Sequence, residues 1–356
     1  MRDLPSELAL RGVDILLDSY ARIDEGTGVV LGMHRACAET AVWIVAALSL
    51  RGVPVETYCF DHRDDALFQE ALEERLERIR GPRVRRVAVI ICELSTMTFR
   101  RALTRAQAAD PEGISIVRLI NCSPDLFELA FQVTAEEQRR INATVINKLH
   151  AARRLRITSA LGTDLEITLD SSRYRWVSNF GVPWPGELVM LPAGEVNTFP
   201  ASIRGRLVAD GAFNLNFAVD ADARLAGRPV RVDIEDGAMV SYHCDDPGVR
   251  GVLDGVFAEE AARNVGELGF GTNLGIKRFI AMNSHINERH PGVHIGFGEH
   301  GQPGRVPFQA VRHLDLIFEG AEITIDDREV IDSKSFIPTD LPHPAGVHCE
   351  DTDASV

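Results

Sequence analysis

Apolar positions in the first 150 residues switch between a strand period and a helix period. From 34 to 51 they crowd together as in a buried helix, and Gly52 supplies the stop signal. The segment 53–60 (VPVETYCF) then reads as a strand. Between 65 and 80, Leu67, Leu72, Leu76 and Ile79 recur at helical spacing among charged residues. The segment 84–92 (VRRVAVIIC) ends in a continuously apolar run, as strands buried on both faces do. A helix is expected over 98–109, broken by Pro111 and Gly113 ahead of a strand at 114–120. Another helix is expected over 135–152. This alternation predicts a parallel sheet with helices on its faces.

After Arg154 the pattern shortens. Strands are expected at 154–159, 165–169, 187–191, 207–209 and 230–235, separated by turns rich in Gly, Pro and Asp. A helix at 247–264 is followed by strands at 292–297, 311–318 and 321–325. The predicted organisation is an α/β N-terminal domain with a parallel sheet (1–152), a strand-rich α+β metal-binding domain (153–335) and an irregular tail (336–356).

Composition narrows the function. Hydrophobic residues make up 45% of the 356, enough for a sizeable core. The longest apolar run, 41–50, is interrupted by Ser49 and falls short of the roughly 18 residues of a membrane span. Lys and Arg number 38 against 52 Asp and Glu, a net charge of −14 that argues against nucleic acid. No secretory leader is visible in MRDLPSELALRG, and none of the six cysteines stands in a C-x-x-C pair. A cytoplasmic protein with reduced thiols is the expectation. No Gly-rich phosphate loop follows a first-domain strand, so no nucleotide cofactor is expected.

The chemistry concentrates in the second domain. In the segment His313-Leu-Asp315-Leu, positions i and i+2 of a strand share a face, so imidazole and carboxylate project together. Such a pair suits a divalent ion, or a plain His–Asp hydrogen bond. Glu195 in PAGEVNTFP and Glu267 in GELGFG sit beside glycine in apolar surroundings, where a buried carboxylate needs a cation or strong donors. A surface turn is the alternative for each. His294 in VHIGFG is a third candidate ligand, or a core histidine. Glu299 and His300 are candidates to support the ligands or to face substrate. Asp164 reads as a turn cap. His285, Glu288 and His290 (HINERH) read as solvated, with Glu288 able to approach the site; His343 and His348 in the tail also read as solvated.

Taken in order, G-T-D-L, P-A-G-E-V-N-T-x-P, G-E-L-G-F-G-T-N, V-H-I-G-F-G and H-L-D-L resemble the aminopeptidase T family of metalloproteases over about 155–335. The resemblance implies a dinuclear exopeptidase, usually a homodimer, with metal ligands at Glu195, Glu267, His294, His313 and Asp315. The family's tyrosine seven residues after the histidine is Gly301 here, and His300 is the candidate substitute. The same superfamily contains an iron-dependent ring-cleaving dioxygenase of 2,5-dihydroxypyridine, similar in the H-L-D segment but with His where this chain has Glu267. The carboxylates favour hydrolysis. The expectation is therefore an aminopeptidase-type hydrolase, with Glu195 or Glu267 bridging the ions or moving the proton. One or two Zn, Mn, Co or Fe ions would activate water toward a small peptide or amide. A non-haem Fe(II) dioxygenase or another amide-processing biosynthetic enzyme are the alternatives.

Overall fold

A computed structural model describes residues 4–94, 99–183, 188–217, 219–327 and 329–332. The elements run in the order α1 (Glu7–Ile15), β1 (Thr27–His34), α2 (Ala38–Leu50), β2 (Val55–Phe60), α3 (Asp65–Ile79), β3 (Arg86–Glu93), α4 (Arg100–Ala109), β4 (Ile114–Ile120), α5 (Pro124–Glu128) and α6 (Ala135–Leu149). They continue with β5 (Arg154–Thr158), β6 (Asp164–Thr168), β7 (Val177–Asn179), β8 (Leu188–Leu191), β9 (Glu195–Thr198), β10 (Ser202–Ala209), β11 (Ala212–Leu215), β12 (Val230–Glu235) and β13 (Ala238–His243). The last are α7 (Pro247–Phe257), β14 (Val265–Gly271), α8 (His285–Arg289), β15 (Gly292–Gly298), β16 (His313–Phe318), β17 (Glu322–Ile325) and β18 (Glu329–Asp332). The tail 336–356 and Glu187 lie outside the described residues. No described helix is long and apolar enough to cross a membrane.

The described residues form two compact units, one drawn from 1–136 and 181–193, the other from 137–180 and the part of the chain after 193. This differs from a single cut at 152–153. The strand β8, expected in the second domain, joins the first sheet by pairing in parallel with β4. Its side-chain pattern is local and carries no record of which sheet it enters.

The first unit is the parallel sheet that the alternation predicts, in the order β2-β1-β3-β4-β8. The helix α3 starts at Asp64, whose carboxylate accepts from the N–H groups of Ala66 and Leu67. It buries Phe68, Leu72, Leu76 and Ile79. Leu67, read as part of that face, is 53% exposed because it lies one residue off the stripe. The strand β1 was not visible in the pattern because Gly28 and Gly32 interrupt it. Those glycines permit close packing: a Cβ at Gly28 would lie 2.8 Å from Ile79 Cγ1, and one at Gly32 would lie 2.9 Å from Ile91 Cδ1. The unit also buries an ion pair, Arg118 Nε donating to Glu93 Oε1 at 2.6 Å, with both side chains 2% exposed or less.

The second unit holds two antiparallel sheets, β13-β12-β10-β6-β5-β17-β18 and β11-β16-β15-β14-β9-β7. In the first of these, buried residues alternate with exposed ion pairs along the strands. Asp164 belongs to this exposed set. Its carboxylate takes both Arg156 Nε and Nη2 across the strand pair, in place of the expected turn cap. The helix α7 begins at Asp246, which accepts from Val249 N at 2.8 Å, and its Phe257 packs edge-on against Phe297 of β15 at 5.6 Å.

Removing one member of a buried ion pair strands the other. Glu93→Ala is expected to lower the stability of the fold by about 3–5 kcal/mol. Replacing both Glu93 and Arg118 with apolar residues of similar volume is expected to cost less than the single change. Urea denaturation of the variants checks both.

Candidate metal centre

The six-stranded sheet has one apolar face and one polar face, and strand pairing assigns every residue to one of them. Val196, Leu268, Phe270, Val293, Ile295, Phe297, Leu314, Leu316 and Phe318 alternate onto the buried apolar face. The intervening positions bring Glu195 of β9, Glu267 of β14, His294 of β15, and His313 and Asp315 of β16 onto the other. Glycine fills much of the space between them. Gly271 pairs with Glu195, Gly269 with His294, and Gly296 lies between Glu267 and Asp315. A Cβ at Gly269 would fall 1.9 Å from His294 Nε2. One at Gly296 would meet Glu267 Cβ at 2.8 Å, His313 Cε1 at 2.9 Å and Asp315 Oδ1 at 3.0 Å. The E-x-G-x-G and H-x-G-x-G rhythms are therefore the spacing that leaves room for functional side chains. A register shift between Val265 and Glu267 brings Glu267 opposite Gly296.

All five predicted ligands lie in two overlapping groups. Glu195, Glu267 and His294 have ligand atoms within 4.8 Å of one another, as do Glu267, His313 and Asp315. His294 Nε2 is 3.2 Å from Glu195 Oε1 and 3.3 Å from Glu267 Oε1. His313 Nε2 is 2.9 Å from Asp315 Oδ1, and its Nδ1 is 2.8 Å from the Glu299 carbonyl. A carbonyl only accepts, so Nδ1 carries a proton and Nε2 is the nitrogen turned toward the carboxylates. That is the arrangement of a metal-binding imidazole, held in one tautomer by a bond from its other nitrogen. The donor set of imidazole and carboxylate fits a borderline divalent ion.

Glu299 thus reaches the site through its backbone; its carboxylate is exposed and accepts from Asn216 Nδ2 at 3.1 Å. His300 is tied to backbone at both ring nitrogens, by Phe308 O at 2.7 Å and Gln302 N at 3.2 Å, which organises its loop.

In the segment HINERH the expectation of a solvated stretch fails, and the alternative that Glu288 approaches the site holds. Glu288 and Arg289 are each 5% exposed, not solvated. Arg289 Nη1 lies 2.9 Å from Glu195 Oε2 and also donates to Glu288 Oε1. Asn214 Nδ2, from β11, donates to Glu288 Oε2 and lies 3.3 Å from Asp315 Oδ2. A second polar group was also missed. Asn142 of α6 donates to Glu195 O at 3.0 Å and Asn179 O at 3.1 Å, while its Oδ1 accepts from Gln138 and Thr272. This fixes β9 and the ligand it bears. The only local hint was a run of amides at 138, 142, 179 and 273 in otherwise structured segments.

Electrostatics follow from crowding. Burial pushes Glu195 upward, but the Arg289 guanidinium and His294 outweigh it and hold the carboxyl below its ordinary value. Burial and the neighbouring Glu195 charge raise Glu267 to about 7. Burial alone would lower His294; its bonds to Glu195 and Glu267 prevail and raise it to about 10. His313 is opposed by burial in the same way and raised by Asp315. Burial likewise pushes Asp315 upward, but His313 outweighs it and holds the carboxyl down.

The sequence model of one family, 2,5-dihydroxypyridine 5,6-dioxygenase (NicX), matches residues 71–292, more than half of the chain. The chain belongs to the NicX family. The matched span contains Glu195 and Glu267 and ends before His294, His313 and Asp315. The sequence reading ranked the aminopeptidases first and this family second, on the strength of the carboxylates; the match reverses that order. Among solved structures, a 2,5-dihydroxypyridine dioxygenase from Pseudomonas putida KT2440 is similar at 17% identity and a TM-score of 0.63. The similarity covers 95% of this chain and 98% of that one. AmpT of Thermus thermophilus is similar at 16% identity and a TM-score of 0.54, over 91% of this chain and 97% of that one. At these identities the likeness is one of fold. No functionally curated protein matches the sequence. The chain is thus a member of a metal-dependent enzyme family that carries an α/β unit and a strand-rich unit.

Gly296→Ala is expected to weaken divalent-metal binding by about tenfold or more, the scale seen when groups that orient ligands are disturbed. Titration with Mn²⁺ followed by calorimetry checks it. Metal uptake should also compete with protons. In the metal-free protein Glu267 keeps its proton up to about 7, and His313, lowered by burial but raised more by Asp315, stands above its ordinary value. Binding through either group must expel its proton, so affinity should rise as pH increases from 6 through about 7 and above. An affinity that stays flat over this range contradicts the shared role of these groups.

Proposed function

We propose that the protein is an oxygenase that opens the ring of a hydroxylated nitrogen heteroaromatic such as 2,5-dihydroxypyridine. Membership of the NicX family carries this reading. Glu267, His313 and Asp315 would hold one Fe²⁺ on a rigid sheet face, the ion supplying the activation of O₂. Three protein ligands leave positions open for small reactants. The Glu299 carbonyl keeps His313 Nε2 turned to the ion, and Asn214 steadies Asp315. Glycines at 269 and 296 leave room for the side chains of His294, Glu267 and His313 on that face. The carboxylate at 267 departs from the histidine expected of a dioxygenase, and gives the centre more negative charge.

A hydrolase is the second reading, favoured by one observation. Glu267 is common to both ligand groups, as a bridging carboxylate between two ions would be.

Oxygen dependence separates them. Protein loaded with Fe²⁺ without oxygen should consume O₂ in proportion to 2,5-dihydroxypyridine removed. It should fall silent when loaded with Zn²⁺. Turnover of di- or tripeptides that persists without O₂ and with Zn²⁺ or Mn²⁺ would sink the oxygenase reading. His313→Ala should lose bound metal and at least about a hundredfold in rate under either chemistry, since a ligand matters more than the groups that orient it.

A further inference from the structure

Four carboxylates crowd the polar sheet face and the helix beside it: Glu195, Glu267, Glu288 and Asp315, all less than 9% exposed. One buried side chain among them is a fixed cation. Arg289 keeps its charge at any working pH. Its Nη1 lies 2.9 Å from Glu195 Oε2 and also donates to Glu288 Oε1. We infer that Arg289 is the permanent second cation of this centre, occupying the charge-neutralising place that a second divalent ion would take beside Glu195, so that the centre binds a single ion. The inference rests on the reading that Glu267, His313 and Asp315 hold that ion.

Two further observations support it. The two histidines differ in how they are held. His313 has its Nδ1 bonded to the Glu299 carbonyl, as ligating histidines do. His294 is fully buried, yet its Nδ1 has no hydrogen-bond partner among the described residues. The group that would receive a second ion therefore lacks the support that the first possesses. In addition, an ion on Glu195 would stand within a few ångströms of the guanidinium, in surroundings where water screens little. Two divalent ions together with Arg289 would set five positive charges against at most four carboxylates; one ion with Arg289 sets three.

Counting ions tests this without reference to activity. The whole protein is loaded with Mn²⁺ without oxygen, freed of excess metal by gel filtration, and analysed by mass spectrometry for Mn per chain. The wild type should hold one ion and Arg289→Met two. Two ions in the wild type overturn the inference, as does a folded Arg289→Met that still holds one. If Arg289→Met fails to fold by circular dichroism, Glu195→Gln decides. One ion bound with unchanged Kd supports the inference, and a Kd raised by about tenfold or more, the cost of losing a group the ion depends on, overturns it. His313→Ala that keeps its ion would sink the ligand assignment and this inference with it. A failure to consume O₂ would sink the oxygenase reading while leaving the ion count, and the role of Arg289, untouched.

Discussion

Buried negative charge is the constraint on which this centre depends. A carboxylate removed from water is costly unless a cation or a set of donors stands against it. Here Glu195, Glu267 and Asp315 are placed on a single sheet face, with Glu288 set beside them. Mutual repulsion raises Glu267, while Arg289 and His294 hold Glu195 down. Such a face is stable only with positive charge inside it. The imidazoles, the guanidinium and a divalent ion are the sources at hand, and the chemistry follows from how they share the work.

The sheet supplies what loops could not. Strand pairing fixes the heights of Glu267, Gly296 and Asp315 relative to one another, and the apolar opposite face, from Val196 to Phe318, resists any slip of register. A slip of one residue would send every ligand into the core. Glycine at 269 and 296 then converts a closely paired sheet into a shallow bed for side chains. Backbone and amide contacts finish the placement: Asn142 on the carbonyl of Glu195, and the Glu299 carbonyl on His313. These neutral contacts orient ligands without adding charge to a site already rich in it.

The fold itself is shared with a dioxygenase and with AmpT, so architecture does not choose the reaction. A carboxylate at position 267 resembles a hydrolase ligand, and it led the sequence reading toward amide hydrolysis. The guanidinium beside Glu195 changes its meaning, because it neutralises part of the charge that would otherwise call for metal.

Much of this was legible in residues alone. The apolar runs gave the strand and helix rhythm of the first unit, and the i, i+2 spacing of His313 and Asp315 put both on one face. Glycine flanking Glu195, Glu267 and His294 marked them as ligand candidates, because local crowding and the strand period are properties of neighbouring residues. Other features came only with the tertiary structure. HINERH looks like an exposed charged turn, and nothing within it says that Arg289 faces Glu195, nearly a hundred residues earlier. Asn142 looks like a surface amide of a helix until β7 and β9 are laid against it. The return of β8 to the first sheet is silent in its sequence for the same reason. Hydrophobic periodicity is written between adjacent residues, whereas charge compensation and strand pairing act through space, between segments that only folding brings together.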